Sequence, residues 1–72
     1  MEEFLEFVAA VFECDASELS GDTAYGEYPK WDSLMMLRLL MEVEDEYNVV
    51  IPIEETGLIK TLSDIYTRYI ED

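Results

Sequence analysis

Between Ser33 and Tyr47 the apolar residues fall at a spacing that only a helix can use. Met36, Leu39, Leu40, Val43 and Tyr47 follow an i, i+3, i+4, i+7, i+11 pattern, which places all five on one face. A chain of 72 residues lies near the lower limit at which one hydrophobic core folds without disulfides or metals, so this face must form a main wall of that core. Residues 2–14 repeat the pattern with Phe4, Leu5, Val8, Val11 and Phe12, while Glu2, Glu3, Glu6 and Glu13 lie mainly on the opposite side. The segment between the two helices, 15–32, holds Gly21, Gly26 and Pro29 among several Asp, Ser and Thr residues and is expected to be a long connection. Its Leu19, Tyr25, Tyr28 and Trp31 give it apolar surface with which to pack across the helices. Asn48 supplies a stop for the second helix, and Pro52 rules out a continuous helix through the β-branched run that follows. A short helical turn is expected at 54–58, closed by Gly57. A last helix begins at "TLSD", where Thr61 and Asp64 are spaced as a capping box with Asp in place of Glu, and it carries Leu62, Ile65, Tyr66, Tyr69 and Ile70. The expected fold is all-α: a small four-helix bundle with a long first loop and a short third helix, in a single domain over residues 1–72.

The residue inventory removes several functions. The chain has no histidine and one cysteine, Cys14, so it cannot build a disulfide, a His/Cys metal site or a histidine-activated nucleophile. No catalytic residues and no metal ligands are assigned, and Cys14 reads as a small packed hydrophobe. An acidic calcium loop starting at Asp15 fails because Leu19 stands where a ligand is needed and the terminal bidentate Glu is missing. Eighteen Asp and Glu against four basic residues give a net charge of −14, which repels nucleic acid and anionic membranes. Partners are therefore expected to be proteins with basic surfaces. No segment is long and apolar enough to span a bilayer, and "MEEFLEF" lacks the basic start of a signal peptide, so the expectation is a soluble, monomeric, cytoplasmic protein.

The second helix has more apolar surface than one core-facing stripe requires. Leu34, Leu37 and Met41 form an adjacent set at i, i+3, i+7, with Arg38 beside them and Glu42, Glu44 and Asp45 further along. Two readings fit. The set is a docking strip with apolar anchors and orienting charges, or it is the margin of a broad core face. Ser33, which opens this helix between Asp32 and Leu34, is either only a helix start or a covalent attachment point.

The segment "WDSLMMLRLLMEVEDEYNVVIP" resembles the attachment region of acyl carrier proteins, including peptidyl-type relatives: Asp-Ser-Leu, an apolar helix with an acidic end, an aromatic residue, then a β-branched stretch and proline. The order of helices along the whole chain is similar as well. The resemblance implies that Ser33 receives 4′-phosphopantetheine from a phosphopantetheinyl transferase. It further implies that acyl or aminoacyl groups ride on the arm as thioesters, loaded by a ligase and used by synthase or acyltransferase enzymes of fatty acid, polyketide or related secondary biosynthesis. Two roles fit Asp32: capping the helix and assisting the transferase's metal site. Leu34, Leu37, Arg38, Met41, Glu44 and Asp45 become the partner-facing residues. Met36, Leu39, Leu40, Val43, Ile51, Leu58 and Ile65 form either plain core or a separable interior for an acyl chain. Met35 and Arg38 stand where fatty acid synthesis carriers usually have acidic residues, which points to a specialised carrier with different partners. Trp31 before Asp-Ser is seen in several such carriers and also suits packing of the loop. The competing class is an unmodified acidic helical adaptor that binds a partner through Leu34, Leu37 and Met41.

Overall fold

The computed structural model describes residues 1–71. Helix α1 spans Glu2–Phe12 and α2 spans Ser33–Tyr47; a 3-10 helix runs over Ile53–Leu58, and α3, Leu62–Ile65, continues as a π-helical turn over Tyr66–Ile70. A further three-residue 3-10 turn, Ala16–Glu18, follows α1. These segments give the expected all-α bundle with a long first loop and a short third helix.

The helix ends follow from identifiable chemistry. Asp32 adopts an extended backbone, and its side chain accepts the Met35 N–H at 2.8 Å, satisfying one of the amides that a helix start leaves unpaired. At the other end Asn48 turns into the left-handed region at φ 55°, a conformation asparagine tolerates well, and its N–H returns to the Glu44 carbonyl. Thr61 and Asp64 form the capping box: the Asp64 N–H donates to Thr61 Oγ1, and the Thr61 N–H donates back to Asp64 Oδ2. The Lys60 N–H also donates to Asp64 Oδ2, and this bond is the leading cause of an Asp64 carboxyl held below its usual range.

Two boundaries differ from the sequence reading. Helix α1 stops at Phe12, two residues early, because Glu13 takes the left-handed conformation at φ 60° that ends helices and is usually left to glycine. Gly57 does not close the third segment but lies inside it, and the chain leaves through Ile59 in extended conformation.

The core gathers Phe4, Val8 and Phe12 from α1, Met36, Leu39, Leu40 and Val43 from α2, and Leu62 and Ile65 from α3. Leu19 and Trp31 enter from the long loop, Ile51 and Ile59 from either side of the 3-10 helix. Each such burial contributes about 1.5–3 kcal/mol of transfer free energy. Trp31 is 1% exposed, with the Phe12 and Tyr25 rings 5.9 and 5.7 Å away. Its indole N–H is buried without an acceptor among the described residues. The loop is held at a second place: the Tyr25 N–H donates to the Lys60 carbonyl, the Leu62 N–H to Thr23 and the Ser63 N–H to Gly21, around an isolated antiparallel bridge between Ala24 and Thr61. The long connection is thus pinned both under α1 and against the start of α3, and its last residues are delivered to a fixed point, the N-terminus of α2.

Candidate functional site

Ser33 is the first residue of α2 and is exposed. Two constraints place it. Trp31, two residues earlier, is locked in the core, and Asp32 between them is committed to the Met35 amide. Ser33 is therefore lifted out of the core at a defined position. Beyond the capping Asp32 no acidic residue occupies the first turn of α2, so the Asp32 carboxylate alone offsets the partial positive charge of the helix N-terminus.

From Ser33 onward the two apolar sets of α2 separate cleanly. Met36, Leu39, Leu40 and Val43 are at most 6% exposed, whereas Leu34, Leu37 and Met41 are 78%, 48% and 69% exposed. The outer set is a surface strip and not the margin of the core. It floors a shallow groove that also takes in Met35, Asp32 and Arg38 and ends at Glu42, Glu44 and Asp45. All six residues assigned to a partner face lie on this one groove.

The charged members differ in what already engages them. Glu44 Oε2 accepts the Ile51 N–H at 2.6 Å, tying the end of α2 to the segment that follows it. Glu44 is therefore a structural residue as well as a groove residue. Arg38 reaches back to Glu13, with Nη1 3.9 Å from the carboxylate and both side chains more than half exposed. Lys30 also lines the groove, and its Nζ donates to the Glu13 carbonyl at 2.9 Å. Sequence reading left Lys30 out of the site. The available signal was its position three residues before Ser33 in a chain with only four basic residues.

Six of the seven residues considered for an acyl interior, Met36, Leu39, Leu40, Val43, Ile51 and Ile65, are buried together in the core. Leu58 is not with them. It is 51% exposed, and its neighbour Ile59, at 2%, takes the inward position. Leu58 is the last residue of the 3-10 helix, and it is at Ile59, where the backbone turns extended, that the chain enters the core.

No described helix is long and apolar enough to cross a membrane. Comparison with known proteins gives the arrangement its context. The family model described as "Phosphopantetheine attachment site" matches residues 2–68. The chain is 38% identical over 68 residues to the acyl carrier proteins of Rickettsia massiliae and Rickettsia felis, an overlap covering 94% of this chain and 78% of each relative. The acyl carrier protein of Rickettsia typhi is 37% identical over the same length and coverage. The match spans α1, the long loop, all of α2 with its exposed serine, the 3-10 helix and most of the last helix, and the chain belongs to the phosphopantetheine-bearing acyl carrier protein family.

Proposed function

We propose that Ser33 is the residue that receives phosphopantetheine, and that this domain presents acyl or aminoacyl groups to synthase, ligase and acyltransferase partners. The observation that carries this reading is the exposed Ser33 at the first position of α2, next to its capping Asp32 and within the region matched to the family. When bound, the group supplies a terminal thiol on a flexible arm, on which an acyl group is held as a thioester.

The residues of this chain do the rest by position. Trp31 and Asp32 fix the first turn of α2, so the Ser33 hydroxyl meets a transferase without prior unfolding. In the transfer, Ser33 Oγ forms a bond to phosphorus as the pyrophosphate of coenzyme A breaks. The serine proton leaves to a base on the transferase, because this chain has no histidine to take it, and adenosine bisphosphate departs. The helix dipole then faces the new phosphodiester. Asp32 is the cap of α2; assistance at the transferase's metal site would have to use the carboxylate oxygen that does not hold the Met35 amide. A net charge of −14 opposes self-association and supports a monomeric carrier, which we place in the cytoplasm. An acyl chain entering between Leu39, Val43 and Ile65 would require fully buried side chains to part.

The test is intact mass after incubation with coenzyme A, magnesium and a broad-specificity phosphopantetheinyl transferase. Wild type should gain one phosphopantetheine. Ser33→Ala should gain none while keeping its melting temperature, since the residue is exposed. An unmodified wild type would return the chain to the adaptor class, and a labelled Ser33→Ala would move the attachment elsewhere.

A further inference from the structure

In the sequence Ser33 lies between the only basic residues that precede position 60, Lys30 and Arg38, and both are attached to the same residue at the end of α1. Lys30 Nζ donates to the Glu13 carbonyl at 2.9 Å, and Arg38 Nη1 lies 3.9 Å from the Glu13 carboxylate. Glu13 ends α1 in the left-handed conformation, which a side chain disfavours, and its carbonyl lies at the partially negative end of that helix, where a cation is favoured. The three residues form a clasp. It joins the end of α1 to the chain on either side of Ser33.

The charges of this region balance at two against two. Lys30 and Arg38 are set against Glu13, which pairs with Arg38, and Asp32, which lines the groove with both cations. The two carboxylates are not equally free. Asp32 accepts the Met35 amide at 2.8 Å and caps α2, whereas the Glu13 side chain is 76% exposed and its pair with Arg38 is long. Exposed pairs of that kind are weak. A phosphodiester on Ser33 Oγ adds a permanent negative charge, and the balance becomes three against two. The donors fit that group: Lys30 spends one of its three N–H bonds on the Glu13 carbonyl, and Arg38 offers five in a fork that suits phosphate oxygens.

Resting on the carrier reading above, we propose that Lys30 and Arg38 hold the phosphodiester of the attached arm and are drawn away from Glu13 to do so. Asp32 stays where it is, because leaving would strip an amide of α2 of its acceptor. Glu13 yields. Attachment at Ser33 is then sensed twenty positions earlier in the chain, where the left-handed end of α1 loses both of its cationic supports.

The test compares the full chain before and after modification by NMR, with attachment checked by intact mass. The chain has two lysines and two arginines, so Lys30 Nζ and Arg38 Nε are read against Lys60 and Arg68 as internal references. Attachment should shift the Lys30 and Arg38 signals and slow hydrogen exchange at Arg38 Nε on the order of threefold, leaving the references in place. The Glu13 and Cys14 amides should shift as the clasp opens. In Lys30→Gln/Arg38→Gln, driven to full modification with excess transferase, those two amides should stay still while Leu34 and Met35 continue to respond. An unmoved signal at either cation in wild type, or the same Glu13 shift in the double variant, overturns the proposal while the mass gain upholds the carrier reading. No mass gain in wild type removes that reading and this site with it.

Discussion

The inner and outer faces of α2 are built from the same residue types, leucine and methionine, at the same helical spacing, and meet opposite fates. Met36, Leu39, Leu40 and Val43 vanish into the core, while Leu34, Leu37 and Met41 stay in water one helical face away. Hydrophobicity alone does not distinguish them. Helix α1 and the core residues of α3 cover only the inner face, and the long loop that could have covered the outer one is pinned elsewhere, under α1 and against Thr61. The lesson is that an apolar residue stabilises the fold only if the topology brings a partner to it. A strip left uncovered in a domain this small is surface held for something else.

The contrast is most easily broken at its inner side. Leu39 is fully buried, and Leu39→Ala should cost about 2–5 kcal/mol, enough to unfold much of a small domain; denaturant titration reads it directly. A loss below about 1 kcal/mol would mean that the core is far looser than its burial implies. Next comes the boundary between the faces. Asp32→Ala removes the cap on the Met35 amide and should lower stability by about 1 kcal/mol, a drop of roughly 4–8 °C in melting temperature for a domain of this size. Asp32→Asn, which retains a capping oxygen, should recover most of it.

Tyr47 marks where the inner face ends. Burial first, then Glu46 and Glu3, push its hydroxyl above the ordinary tyrosine value of 10.0. A folded pKa raised above the unfolded one gives stability that is complete below about pH 10 and lost as pH rises through the folded value. Tyr47→Phe should therefore flatten part of the alkaline decline in a melting series and remove one late-titrating tyrosinate from the absorbance, leaving those of Tyr28 and Tyr69, which are also raised. Titration of every tyrosine at the ordinary value would place Tyr47 outside the inner face. The smallest stability change belongs to the outer side: Leu37→Ala and Met41→Ala should stay within about 0.5 kcal/mol of wild type while slowing modification at Ser33 by the transferase. Large stability losses in both would show that the two faces are one.

Much of this was legible because it rests on local chemistry. Asp32 and Asn48 bound α2 as a cap and a left-handed stop, and Thr61 with Asp64 announced the start of α3. The inward direction of the Met36, Leu39, Leu40 and Val43 stripe and its separation from Leu34, Leu37 and Met41 followed from the helical period, although whether the second set would also be covered did not. What stayed hidden depends on groups far apart in sequence or on backbone alone. Glu13 adopts a glycine-like conformation with no residue to signal it, and Lys30 reaches a carbonyl 17 positions away. The exchange of Leu58 for Ile59 turned on where the 3-10 helix ends and the backbone becomes extended. The bridge between Ala24 and Thr61 uses main-chain atoms that any sequence would provide.

That bridge ties the order of assembly. Helices α1 and α2 can form from neighbouring residues, but the hydrogen bonds from Tyr25 to Lys60, Leu62 to Thr23 and Ser63 to Gly21 close a loop of nearly forty residues and come into being only when the chain's two distant stretches meet. The amides of Tyr25, Leu62 and Ser63 should exchange with solvent as one cooperative unit, opening and closing together despite their separation in sequence. Because the same loop delivers Trp31 and Asp32 to the head of α2, Ser33 takes up its final presentation only after residues 60–63 have folded back onto residues 21–25.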